Sequence, residues 1–257
     1  MARRVTPDAL VRLLKGRSGF LFILDYDGVL VEMAATPDRA VPGPRLPALL
    51  ADLGRRADTA VAVLSGRAPG DLARLLPVPG ILLLGCHGAA RVCGEEITWL
   101  VDRPVPGLAE FASLARRLIA ARRGFLVEEK GAAVAVHYRL AARREAAAVL
   151  EKLVAEAAPL ADAYGLELLP GRRVLEMRHP RASKGTAVTE LLACLPGHPV
   201  CFGDDATDEE AFRAVAGRGT AVLVARADRP TLAGYRLAAP REVRRFLELM
   251  TERRDST

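Results

Sequence analysis

The chain has 257 residues, 51% hydrophobic and 26% charged, the balance of a globular protein with room for one large domain or two smaller ones. Its formal charge is +6, but arginine pairs such as Arg55–Arg56 and Arg244–Arg245 are scattered and aromatics make up only 5%, which argues against a nucleic-acid surface and suits attraction of a small anion. Cys86, Cys93, Cys194 and Cys201 form no Cys-x-x-Cys pair, so buried free thiols are expected; no apolar run is long enough to span a membrane, and a cytoplasmic monomer is the expectation.

The first apolar run, residues 20–24, delivers Asp25 and Asp27 and then bends at Gly28. Strand alternation puts both carboxylates on one side. One carboxylate can attack phosphorus and hold the phosphoryl group, while the other protonates the leaving oxygen and later activates water. Two turn aspartates at a strand end would read the same way. A helix over 44–57 follows, then a run at 60–64 that ends in Ser65-Gly66-Arg67 ahead of a helix over 68–76. A small hydroxyl and exposed amides before a helix suit phosphate oxygens, although Ser-Gly is also a common turn. A further run covers 81–84.

The middle of the chain changes character. A helix over 108–123, runs at 125–128 and 132–138, a helix over 141–158 and runs at 166–169 and 173–177 give a β–β–α–β–β order. That order suggests a small layer inserted into the larger sheet, with joins at Pro104, Pro106 and Pro180. The expected division is a core of 1–104 and 182–257 with an inserted unit of 105–181. Within it Glu128 and Lys130, and His137 and Arg139, lie two apart on strands; solvated surface pairs would show the same spacing.

Ser183-Lys184-Gly185 then opens a helix over 184–195, with Ser183 as N-cap and an ammonium at a helix start, where a surface lysine is the plainer reading. A run at 200–202 enters Gly203-Asp204-Asp205-Ala206-Thr207-Asp208; Thr207 and Glu210 have capping-box spacing for a helix over 207–216, and a run at 221–224 follows. Clustered carboxylates repel unless a cation sits among them, and oxygen ligands without His or Cys favour Mg²⁺. Runs alternating with helices predict a doubly wound parallel α/β sheet whose ligands bind beyond the strands' carboxyl ends.

In this order, Asp25-x-Asp27, Ser65, Lys184 and Gly203-Asp204-Asp205-x-x-Asp208 resemble the haloacid dehalogenase superfamily of phosphotransferases. The resemblance implies a Rossmann-like core with an inserted α/β cap. It makes Asp25 nucleophile and metal ligand, and Asp27 the acid/base whose main-chain carbonyl also meets the metal. Ser65, Gly66 and Lys184 would hold phosphate, Asp204 would bind Mg²⁺, and Asp205 and Asp208 would orient ligand waters and Lys184. Gly85-Cys86-His87-Gly88, Glu128-Glu129-Lys130-Gly131, His137-Tyr138-Arg139 and Val174-Leu175-Glu176-Met177 further resemble the trehalose-6-phosphate phosphatases. That likeness implies a sugar phosphate as substrate and assigns the sugar to Arg67, His87, Glu128, Lys130, His137, Arg139 and Glu176. Val29 stands where that family usually has Thr, and Ala90 where it often has Glu near the sugar. The second departure keeps another glycosyl phosphate, sucrose phosphate or a glycosylated phosphoglycerate, as the alternative substrate.

Overall fold

In the computed structural model, which describes residues 1–94, 96–171 and 173–252, the first half of the chain forms β1 (Arg3–Arg4), α1 (Pro7–Leu13), β2 (Phe20–Leu24), α2 (Arg45–Gly54), β3 (Thr59–Leu64), α3 (Pro69–Leu75), β4 (Leu82–Gly85), β5 (Ala90–Cys93) and β6 (Glu96–Trp99). The middle forms α4 (Leu108–Ile119), β7 (Leu126–Glu129), β8 (Ala133–His137), α5 (Arg143–Tyr164), β9 (Glu167–Gly171) and β10 (Val174–Arg178). The rest forms α6 (Lys184–Cys194), β11 (His198–Gly203), α7 (Asp208–Val215), β12 (Thr220–Val224), β13 (Tyr235–Leu237) and α8 (Pro240–Glu252).

Nine strands make the larger sheet in the order β1-β13-β12-β11-β2-β3-β4-β5-β6. The pairs from β1 to β4 are parallel, and β5 and β6 are antiparallel. Every residue of β2 is buried, as a central parallel strand covered on both faces requires. Alternation sends Phe20, Phe22 and Leu24 into one core with Phe246 and Leu247 of α8, and Leu21 and Ile23 into another with Val188 and Phe212. The chain runs from β2 outward to β3 and β4 and later returns to β2's other side with β11. This is a topological switch point, and the carboxyl end of β2 opens onto the crevice where such sheets bind ligands.

The inserted strands make a second, antiparallel sheet in the order β7-β8-β10-β9. Val127, Val134, Val136, Leu175 and Met177 point to one face, against Phe111 and Leu114 of α4 and Leu153 and Ala157 of α5. Cys86, Ala89, Val101 and Val105 join that apolar cluster, so the cap's core continues into the base of β4 and β5. The fold is thus a doubly wound α/β core carrying an α/β cap. No helix among the described residues is long and apolar enough to cross a membrane.

Several expectations change in detail. α5 does not stop before Pro159 but continues to Tyr164, because Leu153, Ala157 and Ala161 share one buried stripe that outweighs the single lost backbone bond. Thr207 makes no capping bond, and Glu210 turns elsewhere. All four cysteines are free, but only Cys86 and Cys201 are buried; Cys93 and Cys194 lie on the surface, Cys93 at an edge hairpin and Cys194 at the last residue of α6.

Candidate active site

The ladder of β2 continues one residue past the strand, where the Asp25 amide donates to the Phe202 carbonyl at 3.1 Å. That bond fixes the Asp25 side chain above the sheet's carboxyl edge, and its Oδ1 accepts from the Tyr26 amide at 2.7 Å. Tyr26, fully buried, anchors the loop through its hydroxyl on the Ala40 carbonyl at 3.0 Å. At Gly28, φ is +80°, and a Cβ there would lie 2.3 Å from the Asp204 carboxylate carbon. Glycine is required both by the left-handed backbone and by the approach of the β11 loop.

Lys184, the first residue of α6, reaches Asp208 Oδ1 at 2.7 Å and Asp25 Oδ1 at 3.0 Å. The other Asp208 oxygen accepts the Asp204 and Asp205 amides at 2.9 and 3.0 Å, so Asp208 braces both the lysine and the acidic loop. Asp205 turns its carboxylate to the Ala206 amide rather than to Lys184. Burial raises the Asp25 carboxyl well above the usual carboxylate range, against the pull of Lys184 and with added repulsion from Asp208, Asp204 and Asp27. Burial also opposes the Lys184 charge, but Asp208 and Asp25 outweigh it and raise its pKa.

The carboxylates of Asp25, Asp204 and Asp208 offer oxygens within 4.8 Å of one another. One ammonium among these groups leaves excess negative charge, and the donors are all hard oxygens. A divalent cation of the Mg²⁺ type fits that set on both counts.

Asp27, the second carboxylate, is gripped by Arg67 in a two-pronged pair, Nε to Oδ2 at 2.7 Å and Nη2 to Oδ1 at 2.9 Å. Arg67 also donates to the Pro37 carbonyl at 2.7 Å and lies over the Tyr26 ring. The loop that carries it is interlocked with the one after β4: the Ser65 amide donates to Leu84, and the His87 amide donates to the Ser65 carbonyl, both at 2.9 Å. Gly66 leaves room for the His87 ring, which would sit 2.6 Å from a Cβ.

Opposite this floor the cap presents a polar row. Ala135 of β8 pairs laterally with Glu128 of β7 and Glu176 of β10, so two carboxylates flank a small residue on one face of the sheet. Lys130 Nζ meets Glu176 Oε2 at 2.7 Å, and His137 Nε2 meets Glu128 Oε2 at 2.7 Å. Glu176 Oε1 also faces His87 Nε2 at 2.7 Å, off the alignment of a hydrogen bond. Burial disfavours the Glu176 charge, but Lys130 and His87 override it and hold the carboxyl far below the usual range. Arg139 reaches across to the Ala34 carbonyl at 2.8 Å.

One cavity of about 410 Å³ joins floor and roof. Asp25, Asp27, Ser65, Gly66, Lys184, Asp204 and Asp205 line its base; Arg67, His87, Glu128, Lys130, His137, Arg139 and Glu176 line its walls and roof. Asp208 stands behind Lys184, and Ala90, fully buried in β5, is outside the lining. Residues 33–37, Phe125, Leu126, Leu140 and residues 169–171 also line it, although apolar and loop residues carry no chemical signal in a sequence.

A family model described as Trehalose-phosphatase matches residues 23–241. The chain belongs to the trehalose-phosphatase family. A probable trehalose-phosphate phosphatase of Sinorhizobium fredii is 36% identical over 214 residues, 81% of this chain and 78% of that one. The trehalose-phosphate phosphatase of Mycobacterium ulcerans is 34% identical over 93% of this chain, which spans 64% of its length. Among solved structures, the C-terminal domain of Candida albicans trehalose-6-phosphate phosphatase superposes with a TM-score of 0.87 at 24% identity, covering 98% of each chain, and supports the fold of this family member.

Proposed function

We propose that the protein is a Mg²⁺-dependent phosphatase that hydrolyses trehalose 6-phosphate to trehalose and phosphate through an aspartyl-phosphate on Asp25. The observation that carries this reading is the single cavity that sets a carboxylate and lysine floor against a roof of Glu128, Lys130 and Glu176. Charged groups placed opposite the phosphate site suit a hydroxyl-rich ligand, since unpaired hydroxyls in a closed site are strongly disfavoured.

Asp25 Oδ attacks phosphorus and the bond from phosphorus to the sugar's ester oxygen breaks. Asp27 delivers the proton that this oxygen takes up, and Arg67 must yield or turn with the carboxylate for that to happen. A water then attacks the phosphoryl group on Asp25, losing its proton to Asp27, and phosphate and free Asp25 are regenerated. Lys184 and Ser65 hold the phosphoryl oxygens throughout. Asp25, Asp204 and the Asp27 carbonyl would hold Mg²⁺, which would keep Asp25 ionised despite its burial and offset repulsion between nucleophile and substrate.

Ala90, where the family often carries Glu, is not among the residues lining the cavity and offers the sugar no polar group, so sucrose phosphate or a glycosylated phosphoglycerate stays the alternative substrate. The test is phosphate release from a panel of trehalose, sucrose, glucose and glycosylated glycerate phosphates, with and without Mg²⁺. Trehalose 6-phosphate is expected to give the highest kcat/KM; a higher value for any other member overturns the substrate assignment.

A further inference from the structure

We propose that Glu210 is a positioning residue that ties the placement of the cap to that of Lys184, holding Arg178 of the cap on one carboxylate oxygen and Ser183 of the core on the other. The proposal rests on the reading of Lys184 as a phosphate-holding group and of the cap as the sugar's roof.

Arg178 ends β10, two residues after Glu176, so both side chains leave the same face of the cap sheet, toward the core. Its side chain is only 3% exposed, and it is held by carboxylates of both parts of the molecule: Nε to Glu167 Oε2 of β9 at 3.0 Å and Nη2 to Glu210 Oε1 of α7 at 2.7 Å. A guanidinium this deeply buried is stable only while both partners stay in place.

The second oxygen of Glu210 faces the other way. Ser183 Oγ donates to Glu210 Oε2 at 2.7 Å and accepts from the Thr186 amide at 3.4 Å, which makes it the cap of α6. Lys184 is the next residue, with Nζ on Asp25 and Asp208. At Gly185 a Cβ would lie 3.1 Å from the Glu210 Cβ, so the two helices meet at this point with no side chain between them. Burial works against the Glu210 charge, but Arg178 and Ser183 outweigh it and hold the carboxyl below its usual range.

Direct contacts therefore run from the strand carrying Glu176 through Arg178, Glu210 and Ser183 to Lys184. When the cap moves away, Arg178 leaves with it, and Glu210 keeps only Ser183; the first turn of α6 loses a fixed brace. With the cap seated, the brace is held from both sides. Glu210 thus acts across the two parts of the chain rather than as a helix cap for its own helix.

The experiment is a double-mutant cycle of Arg178→Met and Glu210→Gln, read as kcat/KM for trehalose 6-phosphate and for 4-nitrophenyl phosphate, which has no sugar for the cap to hold. Arg178→Lys serves as the conservative variant, since it keeps the charge but loses the planar fork of donors with which the guanidinium reaches Glu167 and Glu210. Arg178→Met is expected to lower the sugar-phosphate to aryl-phosphate ratio by about 5-fold or more, within the range of couplings between sites. Glu210→Gln lowers kcat on both substrates, and the double variant is little worse on the sugar phosphate than the poorer single one. Equal losses of Arg178→Met on both substrates, or additive effects in the cycle, would overturn the tie. Hydrogen exchange at the amides of residues 184–187 provides a readout that needs no substrate. Should the wild type release no phosphate from any sugar phosphate, the substrate reading fails alone. The tie is then decided by exchange in Arg178→Met and Arg178→Lys: faster than wild type supports it, and unchanged protection overturns it.

Discussion

Replacing Lys130 by Met removes the only ammonium among the buried groups of the cap roof and leaves Glu176, with its side chain 8% exposed, facing an apolar neighbour. Taking one partner from a buried ion pair costs about 3–5 kcal/mol because the other charge stays behind. The lower end applies here, since His87 still lies 2.7 Å from the second Glu176 oxygen. At about 2–4 °C per kcal/mol for a chain of this size, the melting midpoint should fall by about 6–12 °C. The pH dependence carries the sharper test. In the wild type the Glu176 pKa is depressed, so its contribution is present above the unfolded carboxyl value and is lost only as pH falls through the folded one. Without Lys130 the largest charge opposing burial is gone, and the folded pKa moves up from its depressed position. The penalty relative to the wild type is then greatest at neutral pH and is relieved as pH falls. Melts followed by circular dichroism at about pH 7.5 and about pH 5 should therefore show the gap between wild type and Lys130→Met narrowing in acid. Lys130→Met combined with Glu176→Gln should regain part of the loss at the higher pH. A variant that melts with the wild type at both pH values would refute the reading of Lys130 as a buried counter-ion.

Asp27→Asn should slow turnover by roughly 10²-fold or more, since both half-reactions lose their proton-transfer group; steady-state phosphate release at saturating substrate checks this. Mg²⁺ at about 100 times its dissociation constant should stabilise the wild type by about 2.7 kcal/mol, and thermal melts should show that gain vanish in Asp204→Asn. Glu128→Ala should lower kcat/KM for trehalose 6-phosphate far more than for 4-nitrophenyl phosphate, because only the sugar meets the cap; equal losses would remove Glu128 from the sugar site.

Where a run is apolar on both faces, as in residues 20–24 or 200–202, its place in the central parallel sheet is legible directly, and with it the positions of Asp25 and Asp204 at the carboxyl edge. Elements with mixed composition are not. β5 and β6 form an edge hairpin that carries Arg91 and Glu96, β1 is two arginines, and α8 mixes many charged residues with its buried stripe of Val243, Phe246, Leu247 and Met250. The helix after Arg143 outlasts its proline because burial, which propensity does not register, decides where it ends. Among the site residues, chemical type and spacing bring Asp25, Lys184 and Asp208 into view one by one, but not their mutual contacts. Nothing in the sequence pairs Arg67 with Asp27, 40 residues away in the chain. Glu210 likewise has capping-box spacing from Thr207, and only the fold brings it Arg178, 32 residues distant, as a stronger partner. The apolar rim at Phe125, Leu126 and Leu140 has no chemistry to mark it.

The most direct measurement is phosphate release from trehalose 6-phosphate by wild type and Asp25→Asn side by side, each with Mg²⁺ and with a chelator. Release is expected only from the wild type with Mg²⁺, because the asparagine amide cannot supply the anionic oxygen that attacks phosphorus. Comparable release by folded Asp25→Asn, or by the wild type in chelator, would contradict the aspartyl-phosphate mechanism.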